Sequence, residues 1–172
     1  MTFAELAKNR YSVRAFQTTC VEEEKIQKII KTANCAPTAT NAQPFHIWAV
    51  HSPEGVKKVN EATECGFGAP AVLVLGADAA GAWTRENDDH NFADVDAGIV
   101  GTHILFAAYE QGLGTTWVGR VDPSKLIERF PEMKGYDIVG LFPIGYPANT
   151  KAGQPGLNHV KRKPIEEIFN FV

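Results

Sequence analysis

Arg10, Ser12 and Arg14 occupy alternate positions in the run Arg10-Tyr11-Ser12-Val13-Arg14. An extended backbone sends alternate side chains to one side, so two guanidiniums and a hydroxyl would converge there. Guanidinium forks match phosphate oxygens in bidentate fashion, and the trio suits a phosphate monoester. A second candidate is the turn-rich loop Ala36-Pro37-Thr38-Ala39-Thr40-Asn41-Ala42-Gln43-Pro44. Its carboxamides, Asn41 and Gln43, both donate and accept, as the edge of a heteroaromatic ring requires. A charged anchor beside a carboxamide reader points to a nucleotide-like cofactor. On spacing alone, the first run also fits a solvated loop after a short helix, and the second a plain helix-to-strand connector.

The elements that must position these residues follow from pattern. Thr2 and Glu5 form a capping box for a short helix from Phe3 to about Asn9, and Thr19 with Glu22 forms another. The second opens a helix with Ile26, Ile29, Ile30 and Ala33 at helical period, stopping before Pro37. Phe45 to His51 is a strand, and Ser52-Pro53-Glu54 starts a helix with proline in its first turn. Ala71–Ala77 is wholly apolar, as expected of a strand covered on both faces. Ala79 to Asp94 is polar and reads as a loop or lid. Asp96 to Gln111 is apolar nearly all round, a central helix whose Ala97, Gly98, Gly101, Ala107 and Ala108 would permit close helix contact. Gly114–Gly119 reads as a strand, and Asp122-Pro123 caps a helix ending at Pro131. Ile138–Tyr146 is a further strand, broken by Pro143 and Gly145, before a polar tail leading to Lys161-Arg162-Lys163-Pro164. The class is α+β, with about four strands covered by helices.

At 172 residues the chain is expected to form one domain over 1–172, able to bury about 70% of its unfolded surface. Hydrophobic residues at 44% and charged residues at 22% describe an ordinary globular protein. A net charge of -3 gives no general attraction to nucleic acid or anionic membrane, so any basic site must be local. Cys20, Cys35 and Cys65, with no CxxC pair, argue against a disulfide framework and for a reducing cytosol. The start Met1-Thr2-Phe3-Ala4-Glu5 shows no signal peptide, and no apolar stretch approaches a membrane span. The expected location is cytoplasmic, with neither nucleic acid nor membrane as partner.

Other chemistry-bearing residues have bland readings. Cys35 lacks a visible base and reads as a buried structural cysteine. Asp88-Asp89-His90 reads as a solvated turn rather than metal ligands, and no metal is expected. His46 and His103 read as satisfied core histidines. Trp83 and Phe92 either stack on a substrate or pack beneath a loop.

Five segments stand together in order: Arg-x-Ser-x-Arg at 10–14, Ala-Pro-Thr-Ala-x-Asn-x-Gln-Pro at 36–44, Gly-Leu-Gly-Thr-Thr-Trp-Val-Gly at 112–119, Pro-Ile-Gly-Tyr-Pro at 143–147 and the basic cluster before Pro164. The combination resembles the nitroreductase family of FMN-dependent oxidoreductases. The resemblance implies a nitroreductase-like fold, a central mixed or antiparallel sheet of four to five strands covered by helices, in an intertwined homodimer with FMN at its interface. It implies that Arg10 and Ser12 hold the FMN phosphate and that Arg14 lies near the phosphate and the pyrimidine end of the flavin. Pro37, Thr38 and Ala39 would lie against the ring, and Asn41 and Gln43 would reach the ribityl chain or ring edge. Thr116 and Trp117 would be close to the ring, and the backbone of Pro143, Ile144 and Gly145 would approach its N5. A C-terminal basic residue would also meet the phosphate. Arg162 is the choice, with Lys161 and Lys163 left open.

Each charge-assisted bond to the phosphate would contribute about 1.5–3 kcal/mol, enough in sum for tight non-covalent binding. NAD(P)H is the implied reductant, and a nitroaromatic, quinone or similar small conjugated molecule the acceptor, in a ping-pong scheme. The chemistry belongs to the flavin, so no catalytic side chain is expected. Two alternatives stay open: a specialised flavoenzyme of the same fold (dehalogenase, dehydrogenase or flavin-consuming), and a non-catalytic FMN-binding module. A flavin-free thiol protein working through Cys35 is a third.

Overall fold

In the computed structural model, which describes residues 1–172, the elements run α1 (Phe3–Asn9), α2 (Glu23–Ala33), β1 (Phe45–Val50), α3 (Pro53–Glu61), β2 (Ala71–Ala77), β3 (Thr84–Arg85), β4 (His90–Asn91), α4 (Ala93–Glu110), β5 (Gly114–Thr115), α5 (Pro123–Arg129) and β6 (Asp137–Gly145). One sheet has the order β1-β2-β6-β5, and every pair in it is antiparallel. The class is α+β, as expected from the pattern. β2 explains its own composition. Ala71, Leu73, Leu75 and Ala77 face one core with α2 and α4, while Val72 and Val74 face a second with Val59 of α3 and Leu126 of α5. A strand buried on both sides has no position left for a polar residue.

The helix starts follow their caps in three cases. Thr2 and Glu5 make the reciprocal box of α1, Ser52 accepts from the Gly55 N–H, and Asp122 accepts from the Lys125 N–H. The Thr19/Glu22 box does not form. Glu22 precedes α2 without a side-chain cap bond, because its carboxylate accepts from the Tyr146 hydroxyl at 2.8 Å instead. Lys25 donates to the same hydroxyl at 2.7 Å, fastening the start of α2 to the end of β6.

Three further expectations need correction. The strand expected at Gly114–Gly119 is only two residues long, followed by a single bridge from Val118 to Leu141. β6 runs through Pro143 unbroken. Leu141 exchanges both backbone bonds with Val118, so by alternation Pro143 turns its donorless nitrogen toward the same outer edge, in the gap between that bridge and β5. The polar stretch after Ala79 holds the β3–β4 hairpin. Its polar two-residue strands carry no periodic signal, and Arg85 and Asp88 pair across the turn.

α4 is central, with eight buried residues. Its small residues divide in role: Ala97, Ala107 and Ala108 share a core with Ile26, Ile29 and Ala33 of α2, the close helix contact expected. Gly101 faces the Trp117 ring rather than another helix, and Gly140 of β6 faces the same indole. Trp117 packs on Phe142 with ring centroids 4.9 Å apart and donates its Nε1–H to the Val139 carbonyl at 3.3 Å. A Cβ at Gly101 would also lie 3.0 Å from Phe142 Cζ. Gly101→Val is therefore expected to cost about 1–3 kcal/mol by overpacking, read as a lower midpoint in urea denaturation.

Candidate functional site

The segment Tyr11–Gln17 is extended and tied on both sides. Ser12 bridges Thr115 in parallel, and the Val13 N–H donates to the Thr115 carbonyl at 3.1 Å. The Arg14 N–H donates to the Ala152 carbonyl at 3.0 Å, and the Gln17 N–H to the Tyr146 carbonyl at 2.8 Å. Val13 is 1% exposed and points into the molecule, as alternation requires. Its seat depends on Gly114, where a Cβ would lie 2.6 Å from Val13 Cγ2.

Arg10, Ser12 and Arg14 face the opposite way, into an open cavity of about 620 Å³. Lys151, Lys161 and Arg162 line the same cavity, and no aspartate or glutamate does. Every ion pair of the chain lies elsewhere, so these five cations face one another without a counter-charge. Arg10 is the innermost, with its Nε buried and unpartnered. Burial, and then repulsion from Arg162, push its guanidinium below the ordinary value. Arg162 is held in place by donating to the carbonyls of His159 and Lys161, both at 2.7 Å. Tyr11 closes the floor, its hydroxyl donating to the Gly153 carbonyl at 3.3 Å and its ring set edge-on to Tyr109 and His159. An orphaned buried donor among uncompensated cations is a donor set suited to a phosphate.

The structure brings together Arg10, Ser12, Arg14 and Arg162, and it adds Lys161 but not Lys163. Sequence reasoning missed Lys151 because it lies in a tail without periodicity. Only the Arg14-to-Ala152 bond draws it in.

Pro37, Thr38, Ala39, Asn41 and Gln43 do not reach this cavity. Their loop precedes β1, whose first residue Phe45 pairs with Ala77, while Ser12 sits by Thr115, opposite Ile144 and hence Ala71. The length of β2 alone, about 20 Å at ~3.4 Å per residue, lies between them. Thr40, Asn41 and Gln43 adopt φ of 54°, 57° and 52°, a left-handed backbone costing roughly 1–3 kcal/mol at each non-glycine residue. The loop is fastened at its ends: the Gln43 N–H donates to Thr38 Oγ1 at 3.0 Å and the Asp78 N–H to the Pro44 carbonyl at 2.9 Å.

Thr116, Pro143, Ile144 and Gly145 are buried in the sheet beside β5, and Trp117 is half-buried in the core. None of the five lines the cationic cavity.

Among the remaining candidates, Cys35 is exposed rather than buried, because it falls just past the end of α2 with its Sγ toward the Lys31 carbonyl. His46 is likewise exposed, stacked beside Trp48 on the open edge of β1, while His103 is half-buried with Nδ1 2.9 Å from the Ile99 carbonyl. Asp88 is engaged by Arg85, and Trp83 and Phe92 pack edge-to-face on each other at 4.9 Å.

With this geometry in view, residues 7–67 and 64–146 match the family described as the Nitroreductase family. A crystal structure of a nitroreductase family protein from Clostridium difficile superposes with a TM-score of 0.90 at 32% identity, covering 99% of this chain and 98% of that one. A protein from Methanothermobacter thermautotrophicus, named as a candidate NADH dehydrogenase/NAD(P)H nitroreductase, is 30% identical over 87% of this chain and 80% of its own. A candidate nitroreductase from Exiguobacterium sibiricum, crystallised in complex with FMN, shares the fold at a TM-score of 0.82 and 21% identity, over 100% of this chain and 98% of that one.

Arg10→Ala is expected to weaken binding of inorganic phosphate at least about tenfold, since a bond to a charged group is worth about 1.5–3 kcal/mol. Calorimetric titration at low ionic strength reads this, and added salt should weaken binding by the wild-type protein as well.

Proposed function

The chain belongs to the nitroreductase family of oxidoreductases, and from that premise we propose that residues 1–172 act as one FMN-binding unit that oxidises NAD(P)H and reduces nitroaromatic, quinone or similar conjugated acceptors. The observation that carries the proposal is the cavity in which Arg10, Ser12, Arg14, Lys151, Lys161 and Arg162 meet without an acid. When bound, FMN supplies the two-electron chemistry, accepting from the nicotinamide and donating to the acceptor in ping-pong order. The chain's own task is to bind and orient. Arg10 and Arg162 take the phosphate oxygens, Ser12 adds a hydroxyl, and Lys151 and Lys161 balance the charge at the rim. The donors of Asn41 and Gln43 and the backbone of Pro37, Thr38 and Ala39 receive the ring, together with the Thr116–Trp117 and Pro143–Gly145 segments.

The distance between the phosphate cradle and the Pro37–Pro44 loop supports a site shared by two copies, in which the loop of one protomer closes over the cradle of its partner. The tail supports the same arrangement. Seven of the eleven exposed large hydrophobic residues are Leu157, Val160, Ile165, Ile168, Phe169, Phe171 and Val172, with Phe171 93% exposed. Apolar surface gathered in one arm marks a contact with another chain. We place it on a second copy in a homodimer.

Purified protein should be yellow, with its flavin absorbance bleached anaerobically by NADH or NADPH and restored by a quinone or nitro compound. Colourless protein that FMN cannot reconstitute would sink the proposal. Phe169→Glu with Phe171→Glu is expected to shift the dimer to monomer by light scattering. FMN should be released in parallel, although Arg162 is untouched.

A further inference from the structure

We propose that Asp96 is a positioning residue for the ring-receiving loop: its carboxylate latches the strained backbone of residues 37–44 to the first turn of α4. This rests on the functional reading above and assigns a role to a residue outside both candidate binding motifs.

Asp96 is 1% exposed. Its Oδ1 accepts the Ala39 N–H at 2.9 Å, and its Oδ2 is buried with no partner. Ala93 and Ala97, on the same helix, and Ala36, at the start of the loop, belong to the buried apolar core. The N-terminal end of an 18-residue helix favours an anion there, but a half-satisfied carboxylate still costs stability that an apolar residue would not. What the carboxylate provides in return is a fixed point. The Gln43 bond ties the loop to itself at Thr38 and the Asp78 bond ties its far end to the sheet, whereas the Asp96 bond fastens the residue immediately before Thr40, the first of the three left-handed positions, to α4. Without that anchor the turn is closed only on itself, through bonds such as Asn41 N–H to the Thr38 carbonyl and Ala42 N–H to the Ala39 carbonyl, and the carboxamides of Asn41 and Gln43 lose their fixed placement relative to α4. A latch of this kind fixes where the loop meets a ring without touching the ring itself.

The test compares wild-type protein, Asp96→Ala, Asp96→Asn and Ala39→Pro. The last removes the donor instead of the acceptor, and it follows Thr38, whose extended φ −130° and ψ 157° tolerate a proline next. Hydrogen exchange of residues 37–44 is followed in apo-protein. FMN affinity is read by flavin fluorescence, the bound ring by its visible circular dichroism, and the cradle by inorganic phosphate binding.

Asp96→Ala and Ala39→Pro should each speed exchange in the loop, weaken FMN about tenfold and alter the flavin spectrum, while leaving phosphate binding as in wild type. Asp96→Asn keeps an amide oxygen for the same N–H and should restore all three. Loop exchange and flavin spectrum unmoved in Asp96→Ala overturn the latch. So does faster exchange with FMN affinity intact, or an Asp96→Asn variant as impaired as the alanine. Should Asp96→Ala not fold, Ala39→Pro and Asp96→Asn decide by the same readouts. Wild-type protein that binds no FMN overturns the functional reading, whereas a flavin-bound wild type whose variants change nothing overturns this inference alone.

Discussion

Five like charges gathered at one cavity repel one another, and Tyr11–Gln17 fixes one wall of it: its backbone sets Arg14 and draws in Lys151 through Ala152, while the Tyr11 side chain meets Gly153 and His159. That segment is held by Thr115 on one side and by Tyr146 and Ala152 on the other, so basic residues from both ends of the chain meet at one place. The electrostatic cost shows most plainly at Arg10, whose guanidinium is destabilised first by burial and then by Arg162. The segment's position is set by backbone hydrogen bonds and not by the charges themselves. A wall set in this way spares the ligand the cost of ordering it.

The rest of the fold serves that alignment. β6 carries β5 on one side and β2 on the other, and β5 in turn carries Ser12. α4 holds the sheet from behind through Trp117, which occupies the space left by Gly101 and Gly140. The same helix fastens the Pro37–Pro44 loop through Asp96. Cradle and loop are therefore referenced to one rigid core although the length of β2 separates them.

Alternation and capping made much of this legible in the sequence. The spacing of Arg10, Ser12 and Arg14 foretold a shared face, the apolar run Ala71–Ala77 foretold a doubly covered strand, and Ser52 and Asp122 marked helix starts. What escaped notice depends on contacts distant in sequence. Glu22 fits a capping box locally, but Tyr146, more than a hundred residues on, takes its carboxylate. Lys151 is one lysine in a polar tail until the Arg14–Ala152 bond draws it to the cradle. Asp96 looked like the edge of an apolar helix, and the signal available was an acid at a position the helical pattern buries. Cys35 was misjudged because its apolar neighbours Ala33 and Ala36 are buried while the chain between them turns outward.

The two borders of the sheet are unlike. On one border, β5 offers only two residues, and just beyond it Pro143 faces outward with no hydrogen to give. On the other, β1 runs six residues with His46 and Ala49 in contact with water. An intruding strand finds almost no ladder to join beside the cradle and a full one at β1. Lateral growth of the sheet is thus barred where the cations gather, and whatever guards this chain against edge-to-edge aggregation must act at the opposite flank.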